Sequence, residues 1–426
     1  MENETKMANT EFSKISVIGL GYIGLPTAAM FASRKIQVVG VDLNQNAVDT
    51  INRGEVHIVE PDLDIVVRAV VAEGYLRATT NPEPADAFLI AVPTPIKEKN
   101  HDPDLSYIEA AAKAIAPVLQ RGNLVILEST SPVGATETMA GWLAKERPDL
   151  SFPQTAGDAS DIRIAHCPER VLPGKVMQEL ISNDRIIGGM TPTCSEAAIQ
   201  LYRSFVTGDC IAASNPSVAE MAKLAENSFR DTNIAFANEL SIICDKLRID
   251  VWELIGLANR HPRVDILQPG PGVGGHCIAV DPWFIVASDR ENSMLIRTAR
   301  EVNDYKPKWV LERVDALVKK FLADHPDKNA TDVTIACYGL AFKPDIDDLR
   351  ESPALAIQKA IQEKFEGRLM VVEPNIEKLP EGLENVSLVS LAQAYTQADV
   401  HVVLVAHKLF KDAGLPIGYL FQATAV

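Results

Sequence analysis

The chain has 426 residues, 47% of them hydrophobic, and its mean hydropathy of +0.03 is that of an ordinary globular protein. Acidic residues outnumber basic ones by 57 to 41, and the net charge of −16 opposes non-specific binding to nucleic acid or to an anionic membrane. No stretch is long and apolar enough for a transmembrane helix. The six cysteines form no Cys-x-x-Cys pair, so we expect neither a zinc cluster nor disulfides, and we expect a cytoplasmic location.

The first element is an apolar run over 15–18, which leads into a glycine turn over 19–24 and then into helix-like sequence. Residues 1–13 before it are expected to be a disordered extension. Strand, glycine turn and helix form the context in which Gly-x-Gly-x-x-Gly binds a dinucleotide. A second strand over 37–41 ends in an aspartate that can accept hydrogen bonds from the adenosine ribose, which favours NAD over NADP. The predicted cofactor contacts here are Gly19, Gly21, Tyr22, Ile23, Gly24 and Asp42.

Further apolar strands are predicted over 87–92, 124–127 and 162–165, so that residues 14–213 form a doubly wound, parallel NAD-binding domain. Polar loops follow these strands. Because ligands bind beyond the carboxyl ends of the strands in an open α/β sheet, the converging loops predict a site there.

From Asn215 the pattern becomes helical, with Pro216 in the first turn and no glycine or proline before about Leu247. A helix this long is expected to bridge two domains or to form a dimer interface, and we expect a homodimer. The strand-poor residues 214–304 are predicted to be a central helical domain.

A second α/β domain is predicted over 305–426, with strands over 333–338, 369–372 and 400–405. A helix is expected from Ser352 to about Glu363. The predicted fold class is therefore α/β, with two Rossmann-like, doubly wound parallel sheets joined by a central helical domain that contains a long helix.

Cys277 lies in a glycine-rich run, which would let a substrate approach its side chain closely. A lone cysteine is more often a small buried hydrophobe, so the run alone does not settle whether the thiol is a nucleophile. Asp281 follows four residues later and is either a carboxylate base or a capping residue.

Lys223, Asn227 and Arg230 are spaced at i, i+4 and i+7 and share one face of the predicted long helix. An ammonium beside an amide can hold a hydroxyl during oxidation and stabilise the oxyanion that forms. On a surface helix the same spacing is often only a solvated stripe.

Taken together, these motifs resemble the nucleotide-sugar 6-dehydrogenases, the family that includes UDP-glucose and UDP-N-acetylhexosamine dehydrogenases. The matching segments, which span most of the chain in the family's order, are 19–24, 92–95, 129–130, 168–169, 223 with 227, 274–277 with 281, and 350–353.

The run over 278–284 lacks the lysine that UDP-glucose enzymes usually carry before the aspartate, and it resembles the N-acetylhexosamine branch. Residues 167–174 and 259–264 closely resemble members that oxidise UDP-N-acetyl-D-mannosamine for surface polysaccharide such as enterobacterial common antigen. UDP-N-acetylglucosamine and UDP-glucose remain alternative substrates.

The resemblance implies a four-electron oxidation of the sugar C6, from alcohol to carboxylate, with two NAD⁺ reduced in turn. Cys277 would form a thiohemiacetal with the aldehyde and then a thioester, which water hydrolyses. Lys223 and Asn227 would stabilise the substrate oxygens, with Lys223 or a water bound to Asp281 taking the first proton. Glu169 and Thr130 would position and activate the hydrolytic water.

The resemblance also assigns binding residues. Thr94, Thr130 and Arg350 are expected to contact the cofactor. The residues expected to contact the UDP-sugar are Arg170, Val171, Lys223, Asn227, Arg230, His261, Arg263, Gly274, Phe342 and Lys343. We expect His276 to be an ordinary loop histidine.

The end of the chain departs from the family, whose members usually finish with a strand followed by Asp-x-Lys or Asp-x-Arg and glycine. Residues 415–426 lack that basic residue, which puts substrate affinity in doubt. Two other functions stay open: a two-electron hydroxyacid dehydrogenase and a non-catalytic NAD-binding protein.

Overall fold

The computed structural model describes residues 12–97, 99–172, 174–275, 277–414 and 418–424. They form two compact units. Unit 1 contains Met1–Ala225 and Trp283–Ser288, and unit 2 contains Glu226–Pro282 and Asp289–Val426.

Unit 1 is built on an eight-stranded sheet with the order β3-β2-β1-β4-β5-β6-β7-β8. Its strands are β1 Lys14–Ile18, β2 Gln37–Val41, β3 Leu76–Thr79, β4 Ala87–Ile90, β5 Leu124–Leu127, β6 Arg163–His166, β7 Arg185–Gly189 and β8 Cys210–Ala213. The order of the first six strands is that of a dinucleotide-binding fold. The all-parallel prediction is wrong at one place, because β7 pairs with β6 in the antiparallel direction.

Helices cover both faces of this sheet. Alternate residues of β4 enter different cores, Ala87 and Leu89 on one face and Phe88 and Ile90 on the other, as the period of a strand requires. The helices before the long helix are α1 Gly24–Ser33, α2 Gln45–Asn52, α3 Leu63–Ala72, α4 Ser106–Ile115, α5 Ala135–Glu146, α6 Pro153–Ala156, α7 Val176–Ser182 and α8 Pro192–Tyr202.

The beginning of unit 1 is more ordered than expected. Phe12 is buried in the core, and Ser13 donates hydrogen bonds to the carboxylate of Asp86 through both its backbone N–H and its hydroxyl. Of the predicted extension, residues 1–11 lie outside the described residues.

The long helix was predicted well: α9 spans Pro216–Leu247, with its first ten residues in unit 1 and the rest in unit 2. The remaining helices are α10 Val251–Ala258, α11 Asp281–Ser288, α12 Met294–Asp324, α13 Pro353–Lys364, α14 Leu391–Gln397 and α15 Lys408–Ala413. No helix within the described ranges has the length and hydrophobicity needed to cross a membrane.

The predicted domain boundary at residue 305 falls inside α12, which continues past Pro307. Proline in a helix interior lacks a donor and crowds the preceding turn, so one continuous helix through this point was not predicted.

Unit 2 contains a five-stranded parallel sheet with the order β11-β10-β9-β12-β13. Its strands are β9 Thr334–Tyr338, β10 Arg368–Val372, β11 Val386–Leu388, β12 Val400–Val403 and β13 Tyr419–Gln422. The atypical C-terminal segment therefore still supplies an edge strand, and the Phe421 ring packs edge-on against Trp309. Residues 415–417, 425 and 426 lie outside the described residues.

A buried polar network joins α9 to α12 within unit 2. The guanidinium of Arg300 donates to the Asp231 carboxylate at 2.6 Å, and the amide of Asn303 donates to the same carboxylate at 2.8 Å. Asn238 donates to the Asn303 side-chain oxygen at 2.8 Å. All four residues are at most 2% exposed. Each of them makes a hydrogen bond across the helix pair, although one Asp231 oxygen and the Arg300 Nε have no hydrogen-bond partner among the described residues.

Lys306 lies next to this network and is 1% exposed. Its ammonium donates to the Ser241 hydroxyl and lies 4.1 Å from the centre of the Trp309 ring. Burial lowers the pKa of Lys306 from 10.5 to about 7, although Asp245 opposes the change.

We predict that Lys306 makes unfolding depend on pH. Because the unfolded chain binds a proton that folded Lys306 releases, stability should rise from about pH 7 to about pH 10.5, by up to about 1.4 kcal/mol per pH unit. Urea unfolding followed by tryptophan fluorescence measures this slope. It should diminish in Lys306→Met and persist in the control Lys308→Met, which removes an exposed lysine of the same helix. Equal slopes in both variants would contradict the prediction.

Candidate active site

The glycine turn of unit 1 is fixed by close backbone approaches. Gly19 has φ +91°, and a Cβ on it would lie 2.6 Å from the Ala91 carbonyl oxygen. A Cβ on Gly24 would lie 1.8 Å from the Gly19 carbonyl oxygen, so no side chain fits there. Around Gly21, by contrast, no heavy atom lies within 4 Å of a Cβ position. The turn therefore leaves open space at its middle glycine, where the fold brings a pyrophosphate close to the backbone.

Asp42 is held against this turn by backbone hydrogen bonds. Its carboxylate accepts from the N–H of Leu20 at 2.9 Å and from the N–H of Asn44 at 2.8 Å. Each carboxylate oxygen keeps lone-pair capacity for a ribose hydroxyl, so the donor set fits NAD. Tyr22 and Ile23 lie in the same turn, just before α1.

Two predicted threonines follow neighbouring parallel strands of unit 1. Thr94 follows β4, and its hydroxyl is buried with no hydrogen-bond partner found in the described part of the chain. Thr130 follows β5 between two serines whose hydroxyls bond backbone carbonyls, Ser129 to Val92 and Ser131 to Ser129, both at 2.7 Å. These bonds fix the loop that presents Thr130.

Glu169, which follows β6, is 6% exposed and tightly bound. One carboxylate oxygen accepts the backbone N–H of Arg170 at 2.6 Å, and the other accepts from the guanidinium of Arg185 at 2.6 Å. Arg170 donates to the carbonyl of Asp184 at 3.2 Å, and Val171 packs against the core.

Sequence reasoning missed Arg185 and assigned no role to Glu128, which lies 3.8 Å from the same guanidinium. A charged residue next to an otherwise apolar strand is a signal that could have identified both. Glu128 directly follows β5, and Arg185 is the first residue of β7. Both are nearly fully buried.

Lys223 is positioned by the start of α9. Glu220, one turn earlier, accepts hydrogen bonds from the backbone of Gly134 and from the N–H and hydroxyl of Thr136, at 2.6 to 2.8 Å. Lys223 itself is only 9% exposed. Glu220 thus occupies the N-terminus of α5 and anchors the part of α9 that carries the lysine.

In unit 2, the side chains of Asn227 and Asp281 are in contact. They are 6% and 3% exposed, and the Asn227 amide donates to the Asp281 carboxylate. The backbone N–H of Asp281 donates to the carbonyl of Cys277 at 2.9 Å, and that of Val280 donates to it at 3.1 Å. Cys277 therefore begins the turn that leads into α11, and it is exposed.

The segment before Cys277 is fixed by two asparagines of α9. The side-chain oxygen of Asn233 accepts the N–H of Leu267 at 3.0 Å, and that of Asn238 accepts the N–H of Gly270 at 2.9 Å. The α9 helix therefore sets where the cysteine loop starts.

The glycines of the loop permit close packing on a second loop of unit 2. A Cβ on Gly274 would lie 2.5 Å from the Glu351 carbonyl oxygen and 2.9 Å from the Cβ of Phe342. Gly275 has φ +80° and also faces the Phe342 ring. Gly274 and Phe342, both predicted substrate contacts, are thus brought together.

The remaining predicted contacts of unit 2 are less constrained. Arg230, His261 and Arg263 are exposed, and Lys343 is half-buried beside Phe342. Arg350, predicted to reach the cofactor, is paired with the Asp348 carboxylate at 2.6 to 3.1 Å. His276 lies outside the described residues.

We predict different effects for two alanine substitutions in the glycine turn, one on stability and one on cofactor binding. Gly24→Ala forces a steric clash with Gly19 and should lower the melting temperature. Gly21→Ala should leave the melting temperature unchanged but weaken NAD⁺ binding by about tenfold or more, because its methyl group fills the space needed by the pyrophosphate. Thermal unfolding and calorimetric titration with NAD⁺ measure both effects. Unaltered NAD⁺ affinity in Gly21→Ala would contradict this assignment.

Three models of one protein family match the chain. Residues 13–206 match the NAD-binding domain of the UDP-glucose/GDP-mannose dehydrogenase family, residues 217–305 its central domain, and residues 336–418 its UDP-binding domain. A Yersinia pestis protein named UDP-N-acetyl-D-mannosamine dehydrogenase is 66% identical over 401 residues, which cover 94% of this chain and 95% of that protein. In Ralstonia nicotianae, a protein named NDP-N-acetyl-D-galactosaminuronic acid dehydrogenase is 63% identical over 401 residues, which cover 94% of this chain and 92% of that protein.

A solved structure of the UDP-D-ManNAc dehydrogenase from Pyrococcus horikoshii superposes with a TM-score of 0.84 at 37% identity, covering 96% of this chain and 99% of that one. The predicted fold class and the NAD cofactor are confirmed by these matches, as is the expectation of a nucleotide-sugar dehydrogenase. The chain belongs to the UDP-glucose/GDP-mannose dehydrogenase family.

Proposed function

We propose that this chain oxidises UDP-N-acetyl-D-mannosamine at C6 to UDP-N-acetyl-D-mannosaminuronate, with two NAD⁺ per sugar. The observation that carries the proposal is the exposed Cys277 in the turn before α11. Its carbonyl accepts the N–H of a buried Asp281, whose carboxylate accepts a hydrogen bond from Asn227. A thiol is required because an aldehyde has no hydride to release until a nucleophile adds to it. The name of the Yersinia pestis relative supports this choice of sugar.

The first oxidation removes a hydride from C6 and a proton from its hydroxyl. The acceptor of that proton is either Lys223, which is buried on the anchored start of α9, or a water bound to Asp281. The Asn227 amide and the lysine stabilise negative charge on the substrate oxygen. Bound NAD⁺ accepts the hydride in each of the two oxidations.

The second oxidation begins when the Cys277 thiolate adds to the aldehyde carbon and forms a thiohemiacetal. Loss of the second hydride from C6 leaves a thioester. Water then attacks the thioester carbon, the C–S bond breaks, and the thiolate returns. Glu169, fixed by Arg185, and Thr130, fixed by its neighbouring serines, orient that water, and the Glu169 carboxylate accepts its proton.

The diphosphate of the substrate needs cations in an acidic protein. Arg170, Arg230, Arg263 and Lys343 are the cations assigned to it, while Gly274, Phe342, Val171 and His261 are assigned to contacts with the rest of the substrate. Arg350 supports the cofactor.

UDP-N-acetylglucosamine and UDP-glucose are the alternative substrates, because the oxidation at C6 is the same for all three sugars. The three differ in the substituent at C2 and its configuration. The name of the Ralstonia nicotianae relative, at 63% identity, adds a galacto-configured sugar to the substrates worth testing.

The uronate product would serve surface polysaccharide synthesis, such as that of enterobacterial common antigen. A cytoplasmic location suits a nucleophilic thiol that must stay reduced.

We further propose a homodimer formed through α9. Within unit 2, this helix exposes four large apolar side chains at intervals of seven, seven and four residues, which places them along one stripe. They are Phe229, Phe236, Ile243 and Leu247, with 71%, 51%, 46% and 60% of their surface exposed. A second copy of the chain would bury this stripe.

The dimer is tested by Phe236→Glu, which places a charge in the middle of the stripe. We expect light scattering to report the mass of a dimer for the unaltered chain and of a monomer for the variant at the same concentration. Ile65→Glu, at a 63% exposed position on α3, is the control and should remain dimeric. Monomeric unaltered protein would contradict the proposal.

The substrate is tested by giving purified protein each UDP-sugar with NAD⁺ and counting NADH. We expect UDP-N-acetyl-D-mannosamine to yield two NADH per sugar with the highest kcat/KM. Turnover of only gluco-configured sugars would refute the mannosamine assignment, and one NADH per sugar would favour a two-electron dehydrogenase. No NADH with any sugar would favour a binding protein.

The role of Cys277 is tested by Cys277→Ser, which should reduce uronate formation by about a thousandfold or more because the weaker nucleophile does not add to the aldehyde. Cys210→Ser, a cysteine in β8, is the matched control and should keep full activity. In Glu169→Gln, mass spectrometry should detect a thioester-linked sugar on Cys277. A fully active Cys277→Ser would rule out the covalent route.

A further inference from the structure

Behind Glu169, unit 1 contains a buried cluster with two carboxylates and one guanidinium. Arg185 donates to Glu169 at 2.6 Å, and the same guanidinium nitrogen lies 3.8 Å from a carboxylate oxygen of Glu128. Arg185 and Glu128 are 2% and 1% exposed. One cation therefore serves two carboxylates that water hardly reaches.

Other groups around Glu128 come from α1, where the Thr27 hydroxyl lowers the Glu128 pKa, from α8 and from the segment after β6. The Tyr202 hydroxyl of α8 donates to a Glu128 oxygen at 3.0 Å, and the guanidinium carbon of Arg185 lies 4.9 Å from the centre of the Tyr202 ring. Burial raises the pKa of the Cys167 thiol, after β6, to about 12, so this neighbour stays neutral. The second Glu128 oxygen has no hydrogen-bond partner among the described residues.

This arrangement holds one carboxylate more than its single cation can neutralise. Desolvation disfavours two charged carboxylates beside one guanidinium, so one of them should hold a proton near neutrality. Glu128 is the one without a short contact to the cation. Burial raises its pKa to about 7, although Arg185 opposes the change.

We propose that Arg185 is a positioning residue for Glu169 and that the ionisation of Glu128 regulates how strongly Arg185 holds that carboxylate. This inference rests on the proposed role of Glu169 in hydrolysing the thioester. When Glu128 is protonated, the Arg185 guanidinium forms its ion pair with Glu169 alone. When Glu128 ionises, it competes for the same guanidinium and leaves Glu169 a stronger proton acceptor.

The direction of the pH effect follows from this competition. Protonated Glu128 strengthens the Arg185–Glu169 pair and slows water activation, so thioester hydrolysis should be slow at low pH. Ionised Glu128 weakens the pair, so hydrolysis should quicken as pH rises through about 7. The steady-state fraction of protein carrying sugar on Cys277 should fall over the same range.

The test compares Glu128→Gln, Tyr202→Phe and the unaltered enzyme from about pH 6 to about pH 9. Glu128→Gln keeps the acceptor for Tyr202 but cannot ionise, so its hydrolysis rate should stay at the slow limit and lose the rise, on the order of tenfold, seen in the unaltered enzyme. Tyr202→Phe removes a hydrogen bond that favours ionised Glu128, so the rise should move to higher pH. Glu83→Gln is the control, because Glu83 also pairs with an arginine but lies partly exposed.

A second readout needs no substrate. Infrared difference spectra between about pH 6 and about pH 9 should show a protonated buried carboxyl group disappearing in the unaltered protein and in Glu83→Gln, but not in Glu128→Gln. Melting temperatures of all variants report whether the fold is kept.

The outcomes separate the two levels of the proposal. Turnover with the same pH profile in Glu128→Gln as in the unaltered enzyme would overturn the inference while leaving the function intact. An infrared signal that survives in Glu128→Gln would overturn it as well. Unaltered protein that oxidises no UDP-sugar would instead contradict the proposed function.

Discussion

The cysteine loop depends on the buried polar bonds between α9 and α12. Arg300 and Asn303 of α12 both bond the Asp231 carboxylate of α9, and each would leave a buried polar group unpaired if α9 turned or slid. Asn238 belongs to the same network through Asn303 and also accepts the N–H of Gly270. The register of the two helices therefore determines where the segment leading to Cys277 begins, before any contact near the thiol itself.

The two sheets place a carboxylate at corresponding positions, but in different surroundings. In unit 1, the residue after β2 is Asp42, whose carboxylate accepts the Leu20 N–H of the glycine turn. In unit 2, the residue after β10 is Glu373, whose carboxylate accepts the corresponding N–H of Leu340. Glu373 is also bonded by the fully buried His407 and is 4% exposed, whereas Asp42 keeps surface exposed. The carboxylate is accessible in unit 1 and buried against a histidine in unit 2, so only Asp42 is placed as in a ribose site.

Local sequence signals were enough for much of this structure. The glycine turn, the strands that end in polar loops and the length of α9 each follow from residues close together in the chain, where period and capping decide the outcome. Helical spacing placed Lys223 and Asn227 on one face of α9, whereas the hydrogen bond from Asn227 to Asp281 joins residues 54 positions apart and needed the structure. The individual roles of the substrate-contacting residues stay predictions.

Other features depend on partners distant in sequence and could not be predicted in this way. The helix α12 continues through Pro307, a residue that usually ends a helix. The short strands β11 and β13 form because they pair with β10 and β12 at the two edges of the sheet. Arg185 lies next to Glu169 only because β7 runs antiparallel to β6. No local sequence pattern indicates the direction of a strand in the sheet. The contacts among Glu128, Arg185 and Glu169 could therefore not be predicted from the sequence.

The backbone bonds on Asp42 have a consequence for changing the cofactor. A carboxylate anchored by two N–H groups cannot swing aside, so the extra phosphate of NADP would meet a fixed negative charge. Replacing the aspartate would remove that charge but also leave the Leu20 N–H without its acceptor at the turn that shapes the dinucleotide site. Redesign toward NADP would therefore need a neutral side chain that still accepts from the backbone, such as asparagine, together with a new cation for the phosphate.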